Sequence, residues 1–354
     1  MVDDFSRKLI NWFNQSGRHD LPWQVDPTPY RVWVSEIMLQ QTQVATVIPY
    51  FNRFIKKLPS VEALATATLD EVLMLWAGLG YYARARNLHK SAKLIIDDEN
   101  GSFPKTLEEL MSLPGIGRST AGAIVAMAYK KRAPILDGNV KRVLARYHAV
   151  EGWPEQTTVK KRLWELSEKH TPVHKIADYT QAVMDLGATL CTRAQPRCEE
   201  CPVNVKCVSR QRGLQKIIPG RKPRKKRVHR EVRMLLIEDS QQRVLLEKRE
   251  ANGIWGGLYS LPELAASEDP ELWCYQNLGL QIDTQIPMKK IDHSFTHFDL
   301  SIYPLLTRIS DTSCAALVKK GQLWYNPVEE IQVGVSTPVA ILLKSLLIKR
   351  NIKR

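Results

Sequence analysis

No stretch of the 354 residues is apolar for long enough to span a bilayer. A signal peptide is not expected either, because Asp3 and Asp4 open a helical spacing of Phe5, Leu9, Ile10, Trp12 and Phe13 in place of a continuous apolar run. Cysteine is scarce, and four of the six lie between 191 and 207, with Cys274 and Cys314 alone. That distribution excludes a secreted disulfide framework and fits a reducing cytoplasm. Acid is scarcer than base, 37 residues against 51, for a net charge of +14 and a pI near 9.5. Such an excess calls for a polyanionic partner, nucleic acid first. Between Lys216 and Arg230 there are eight Lys or Arg and no acid at all. This basic strap is either a solvated linker or a phosphate contact. No internal repeat is present, and no low-complexity segment apart from the strap.

The length predicts two or three domains, each large enough for its own core. From residue 5 to about 210 the pattern is helical, punctuated by Leu21-Pro22-Trp23, Pro59, Pro104, Pro114 and Pro134. Beyond the strap the rhythm changes to β-like runs at Val232–Ile237, Arg243–Lys248 and Asp299–Leu306, then an amphipathic helix over Val339–Ile348. An all-α unit followed by a separate α+β domain is therefore expected.

Four constellations carry chemistry. Cys191-x6-Cys198-x2-Cys201-x5-Cys207 sets four thiols in one short loop without a His. Thiolates held that close repel one another unless a cation lies between them, and zinc and an iron–sulfur cluster both suit the ligands. Leu113-Pro114-Gly115-Ile116-Gly117-Arg118-Ser119 is a glycine turn that opens a helix. Its glycines permit close backbone approach and the helix start offers unpaired N–H groups, a combination suited to a DNA phosphate. In Asp137-Gly138-Asn139-Val140 an acid precedes a helix start. A cap there favours the ionised carboxylate, an anion fit to face a developing oxocarbenium ion. Glu36 is the only acid between Asp26 and Glu62, and its neighbours are mostly apolar. Burial of such a carboxyl raises its pKa and makes it a general acid near neutral pH; a surface Glu is the plainer alternative. His170 and His174 have no evident acid or Cys partner in the sequence and are read as surface residues.

Together the four-cysteine loop, the Leu-Pro-Gly-Ile-Gly hairpin and the Asp137 segment resemble the helix–hairpin–helix DNA glycosylases of the endonuclease III superfamily. Glu36 with Met38-Leu39-Gln40-Gln41-Thr42-Gln43, and Gly78-Leu79-Gly80-Tyr81-Tyr82-Ala83-Arg84-Ala85-Arg86-Asn87-Leu88, resemble their adenine-specific mismatch branch, the MutY type. The resemblance covers the whole chain. It implies a multidomain protein: an all-α helix–hairpin–helix glycosylase domain with an iron–sulfur loop, followed by an α+β Nudix-like domain. The expected limits are 1–212 for the first (a six-helix lobe at about 21–135, and an iron–sulfur lobe of about 1–20 plus 136–212), 213–230 for the basic linker and 231–354 for the lesion-recognition domain. One four-iron four-sulfur cluster per chain on Cys191, Cys198, Cys201 and Cys207, structural in role, is implied in place of zinc.

The resemblance also assigns roles. Glu36 protonates an extruded adenine and then assists an attacking water, Asp137 stabilises or captures the sugar cation, and Asn139 stands nearby. Gln41 and Tyr81 wedge into the base stack, while Leu113, Gly115, Gly117 and Ser119 meet the DNA backbone. Phe295-Thr296-His297 reads the oxidised guanine opposite; the family more often has Ser at the middle position, and His297 has a packing role as its plainer alternative. Strand-cutting relatives carry a Lys where this chain has Ser119, so a monofunctional enzyme that leaves an abasic site is expected. After Pro262 the acids Glu263, Glu268, Asp269 and Glu271 are too scattered for the magnesium site of a working Nudix hydrolase. Expected partners are duplex DNA with adenine opposite 8-oxoguanine or guanine, and repair or replication proteins, for a monomer at the bacterial nucleoid in the cytoplasm. The competing functions are a bifunctional oxidised-pyrimidine glycosylase and lyase, a non-catalytic DNA-binding protein on the same scaffold, and a diphosphohydrolase.

Overall fold

The computed structural model describes residues 3–98, 101–222, 227–265, 267–279, 281–309, 319–329 and 332–351. Residues 223–226 of the basic strap and Cys314 lie outside them. The chain forms two compact units, Met1–Thr66 with Asn87–Arg224, and Ala67–Arg86 with Lys225–Arg354.

The first unit is helical among its described residues. Its helices start where short polar side chains can take a first-turn N–H: Asp3 accepts from Ser6 ahead of Asp4–Ser16, and Thr28 accepts from Arg31 ahead of Pro29–Leu39, with Pro29 in the first turn. Large apolar side chains fill the interior. Trp33 and Phe54 are fully buried, and the Trp23 ring meets Phe51 edge-on at 5.4 Å. The helices Leu107–Ser112 and Arg118–Met127 flank the Pro114–Gly117 turn and make the expected hairpin.

His170 is not a surface residue. It is buried, its Nδ1 meets the Asp3 carboxylate, and its Nε2 lies 2.7 Å from Nε2 of His148. The partner is 167 residues away in the chain, out of reach of any local pattern. Burial, and then the neighbouring His170, push His148 down to about 4. His174 is exposed, as expected.

The second unit is built on a mixed sheet. Its strands run in the order Tyr259–Ser260, Val244–Lys248, Val228–Glu238, Phe298–Arg308, Thr284–Pro287. Val228–Glu238 and Phe298–Arg308 pair in parallel from Val228 opposite Phe298 to Glu238 opposite Arg308. Both exceed the lengths expected from the apolar runs, the first by an exposed N-terminal end from Val228 and the second by Phe298 and by Thr307 and Arg308, because ladder hydrogen bonds hold residues that no side-chain pattern reports. Leu235, Ile237, Leu245, Leu264 and Leu305 form a core with Cys274, which lies on the helix Pro270–Leu278. That helix carries one carboxylate, Glu271, and so lacks the acid density a diphosphate-bound magnesium needs. The closing helix Thr337–Asn351 buries Val339, Leu342, Leu343 and Leu346.

The helix Leu69–Trp76 and the residues up to Arg86 belong to this second unit. Thr68 and Glu71 close a capping box at its start. The loop that follows is braced from inside. Trp76 Nε1 donates to the Gly80 carbonyl at 3.1 Å, Arg84 Nη2 donates to the same oxygen at 3.0 Å, and the Gly78 N–H donates to the Tyr82 hydroxyl at 3.0 Å.

Candidate active site

A cavity of about 410 Å³ in the first unit is lined by Glu36, Gln41, Ser119, Asp137 and Asn139. Five residues singled out in sequence thus meet in one place, from three segments of the chain. Glu36 sits in the helix Pro29–Leu39 between buried Ser35 and Ile37. It keeps some surface open to the cavity, but protein surrounds it elsewhere. Burial, with a smaller contribution from the nearby Asp137 charge, pushes its carboxyl up to about 8.

Asp137 is the N-cap of Gly138–Tyr147, its Oδ1 accepting from the Val140 N–H at 2.7 Å. The expected cap is there, but its consequence for ionisation is corrected. Burial raises the Asp137 carboxyl and outweighs the lowering effect of the Val140 and Asn139 N–H groups and of Arg142 and Lys141. Two like charges cannot both be comfortable here. Asp137 has backbone donors and cations to support its anion, so the shared proton belongs on Glu36.

The turn carrying Asp137 is gripped between two helices that each offer a glycine. A Cβ on Gly122 would lie 2.5 Å from the Pro134 carbonyl oxygen, and one on Gly187 would lie 2.5 Å from Asn139 Cβ. Asn139 is further held by Arg142, whose Nη2 donates to Asn139 Oδ1 at 2.7 Å and to the Gly187 carbonyl at 2.6 Å. Gly187→Ala is therefore expected to lower thermal stability. Overpacking costs about 1–3 kcal/mol, against a helix-propensity gain of at most about 1 kcal/mol. A melting temperature above that of the parent would show that the Asn139 turn yields freely.

Sequence reasoning missed the rest of the wall. Arg18, Trp23 and Gln181 line the same cavity. Arg18 donates to the fully buried Asp185 through its backbone N–H at 2.9 Å and its Nε at 3.0 Å, and Gln181 Nε2 donates to the same carboxylate at 2.8 Å. Leu21-Pro22-Trp23 read only as a turn, and a pairing across 167 residues leaves no local signal.

The other predicted residues fall as follows. Ser119 Oγ accepts from the Leu136 N–H at 3.0 Å on the wall of the cavity. Leu113 is buried and can offer only backbone outward. Gly115 adopts φ 82, and Gly117 caps Arg118–Met127 without a side-chain acceptor, leaving the first N–H groups of that helix to a ligand or water. Gln41 and Tyr81 share a rare backbone state, φ 59 and φ 52, and both are exposed. A left-handed non-glycine residue costs of order 1–3 kcal/mol, and six other described residues, among them Asp26, Lys130 and Trp255, also adopt it. Tyr81 belongs to the second unit, as do Phe295, Thr296 and His297. The Phe295 ring stacks on Phe298 at 4.6 Å, while Thr296 and His297 are exposed at the turn between Ile291–Ser294 and Phe298–Arg308. His297 is thus a turn residue and not the packing residue of a strand.

Cys191, Cys198, Cys201 and Cys207 line one small cavity of about 30 Å³ together with Arg146. Burial pushes Cys201 up to about 12 and raises Cys198 and Cys207, with the Cys191 sulfur adding to each shift. Thiolates there need a compensating cation. Arg146 supplies part of it, its Nη1 standing 3.4 Å from Cys191 Sγ and 2.7 Å from the Thr192 carbonyl. Among the described residues no three His, Cys, Asp or Glu are arranged to hold a metal ion.

Residues 34–169 match the HhH-GPD superfamily of base excision DNA repair proteins, and 233–345 match the NUDIX domain. The chain is 38% identical over 348 residues to the adenine DNA glycosylase of Buchnera aphidicola subsp. Acyrthosiphon pisum, covering 98% of each. It is 45% identical over 220 residues to the human adenine DNA glycosylase, covering 60% of this chain and 40% of that one. A thermostable thymine-DNA glycosylase superposes with a TM-score of 0.54 at 28% identity, covering 59% of this chain and 95% of that chain. An endonuclease III–DNA complex shares the fold at a TM-score of 0.51 and 23% identity, covering 60% of this chain and 96% of that chain.

Proposed function

Because the chain belongs to the adenine DNA glycosylases, base excision repair enzymes that remove adenine, we propose that Glu36 is the general acid and Asp137 the anion that completes the reaction. The observation that carries this is the pairing of two carboxyls in one cavity, one poised to hold a proton at about 8 and the other supported as an anion. Adenine leaves poorly until a ring nitrogen is protonated, and Glu36 supplies that proton. Asp137 then faces the oxocarbenium-like sugar, stabilising or capturing it, and Asn139 holds position beside it. Glu36, now ionised, takes a proton from the attacking water.

The cavity lies inside protein, so adenine must leave the stack to enter it. Exposed Gln41 and Tyr81 are suited to fill the gap left behind. The hairpin backbone at Gly115 and Gly117 suits a DNA phosphate. We assign the exposed turn Phe295-Thr296-His297 to the base opposite, 8-oxoguanine or guanine. The chain then serves as a monomeric glycosylase domain over 1–212, a basic linker over 213–230 and a recognition domain over 231–354. Duplex DNA is the partner, in the bacterial cytoplasm at the nucleoid, with repair or replication proteins as further partners. No helix among the described residues is long and apolar enough to cross a membrane.

The four thiols are assigned to one four-iron four-sulfur cluster, the centre that membership of this family favours over a zinc ion. They line a common cavity beside Arg146, four sulfur ligands of the kind such a cluster takes. When bound, the cluster supplies the charge that keeps the thiolates together and so orders the 191–207 loop.

Single-turnover assays on duplexes with adenine opposite 8-oxoguanine, guanine or thymine, read before and after alkali, test the proposal. Base loss opposite the two guanines, with strand breaks only after alkali, is expected from Ser119. Strand cleavage without alkali would favour the lyase alternative, and intact adenine throughout would overturn the catalytic assignment.

A further inference from the structure

The segment that presents Tyr81 is fastened to the same unit that carries the turn Phe295-Thr296-His297. Arg86 Nη1 donates to the Gly256 carbonyl at 2.7 Å. The residue before Gly256 is Trp255, buried and held at φ 55, whose ring lies 5.3 Å from Phe295 and 5.6 Å from His293. A second tie is ionic, Lys248 Nζ reaching both oxygens of Asp70 at 2.6 and 2.8 Å. A third is steric: a Cβ on Gly257 would stand 3.2 Å from Leu73 Cδ1. From Arg86 back to Tyr81 the path is short and stiff, since the Arg84 guanidinium lies 5.4 Å from the Tyr81 ring and binds the Gly80 carbonyl.

We propose that Arg86 and Trp255 are positioning residues which couple the turn 295–297 to the Tyr81 loop, so that contact with 8-oxoguanine at the turn fixes the wedge for extrusion of the adenine. The proposal rests on the assignment of that turn to the opposite base. Seating Phe295 against a lesion sets Trp255, Trp255 sets the neighbouring Gly256 carbonyl, and Arg86 carries that position to the loop. An undamaged guanine lacks the extra contact and leaves the loop to its own braces. Preference for the lesion is thereby expressed in the rate of adenine removal as well as in affinity.

Arg86→Met keeps the aliphatic stem and removes the donor. Single-turnover rates with adenine opposite 8-oxoguanine and opposite guanine give a preference ratio for the parent and the variant, with melting temperatures measured alongside. A charged donor to a carbonyl is lost, so the ratio is expected to fall by about tenfold. A double-mutant cycle with Phe295→Leu is expected to be non-additive in that ratio, a readout that a purely structural Arg86 would not move. The ion pair supplies an independent variant. Asp70→Lys or Lys248→Asp alone should lower the ratio about two- to fivefold, and the two together should restore it, with the effect fading in high salt. A parent preference that Arg86→Met leaves intact, or additivity in the cycle, overturns the coupling and spares the assignment of the turn. A parent with no preference between the two duplexes overturns both.

Discussion

Glu36→Gln is expected to slow single-turnover removal of adenine by about a thousandfold or more, while making the folded protein more stable at pH 8. The two effects have one cause. The cavity holds Glu36 where ionisation is costly, which keeps a proton available for the leaving base and lifts the carboxyl from its ordinary value of 4.5 to about 8. With the folded value above the unfolded one, the native state binds the extra proton in the window between them. The stability contributed by this site is therefore fully present below pH 4.5, declines as pH rises through the window, and is gone above about 8. An amide does not ionise, so the variant escapes the decline, a difference of up to a few kcal/mol at pH 8. Denaturant melts of both proteins at pH 5 and pH 8 check the sign. A variant destabilised more at pH 8 than at pH 5 would mean that Glu36 is ionised in the native protein. The parent rate should fall as pH rises past about 8, and residual activity of the variant should lack that limb.

Asp137→Asn should separate catalysis from folding in another way. Asn is as good an N-cap as Asp and can still accept from the Val140 N–H, so the helix Gly138–Tyr147 loses little. Burial disfavours the Asp137 anion, so removing it should leave the melting temperature unchanged or raised near neutral pH. The rate should nonetheless fall by about a thousandfold, because an amide oxygen cannot neutralise a positive sugar. The parent should also lose activity on the acid side as Asp137 takes up a proton, above the ordinary range for an aspartate. Single-turnover rates and thermal melts from pH 4 to 9 decide the matter. A variant that melts far below the parent would make Asp137 a structural cap first and a reacting group second.

The legible parts of the site were those written in short stretches of chain. Glu36 stood out as an isolated acid in an apolar helix, and Asp137 and Asn139 as a helix start. The cysteine loop announced itself by spacing. Local sequence could not weigh desolvation, which is why the Asp137 cap was foreseen and its raised carboxyl was not. Nor could it show long-range partners. Arg18 and Asp185, Asp3 and His170, and Lys248 and Asp70 are each separated by more than 160 residues. The helix Leu69–Trp76 shows the same limit for packing: its apolar spacing marks a face to be buried but not what buries it, and Leu73 of that face lies against Gly257 and Gly334, far along the chain in the same unit.

The cavity wall runs from Arg18 near the start of the chain to Ala188, far beyond the middle of the helical unit. On a ribosome these two residues are made far apart in time. At about 5–20 residues per second, the roughly 170 residues between them take about 10 to 30 s to synthesise. Until Asp185 emerges, Arg18 has no carboxylate to bind and the Glu36 pocket has no closing side. A nascent chain that has already made the hairpin therefore still lacks a wall of its candidate active site. On the assignment of that cavity to catalysis, excision waits until just over half of each molecule has been made.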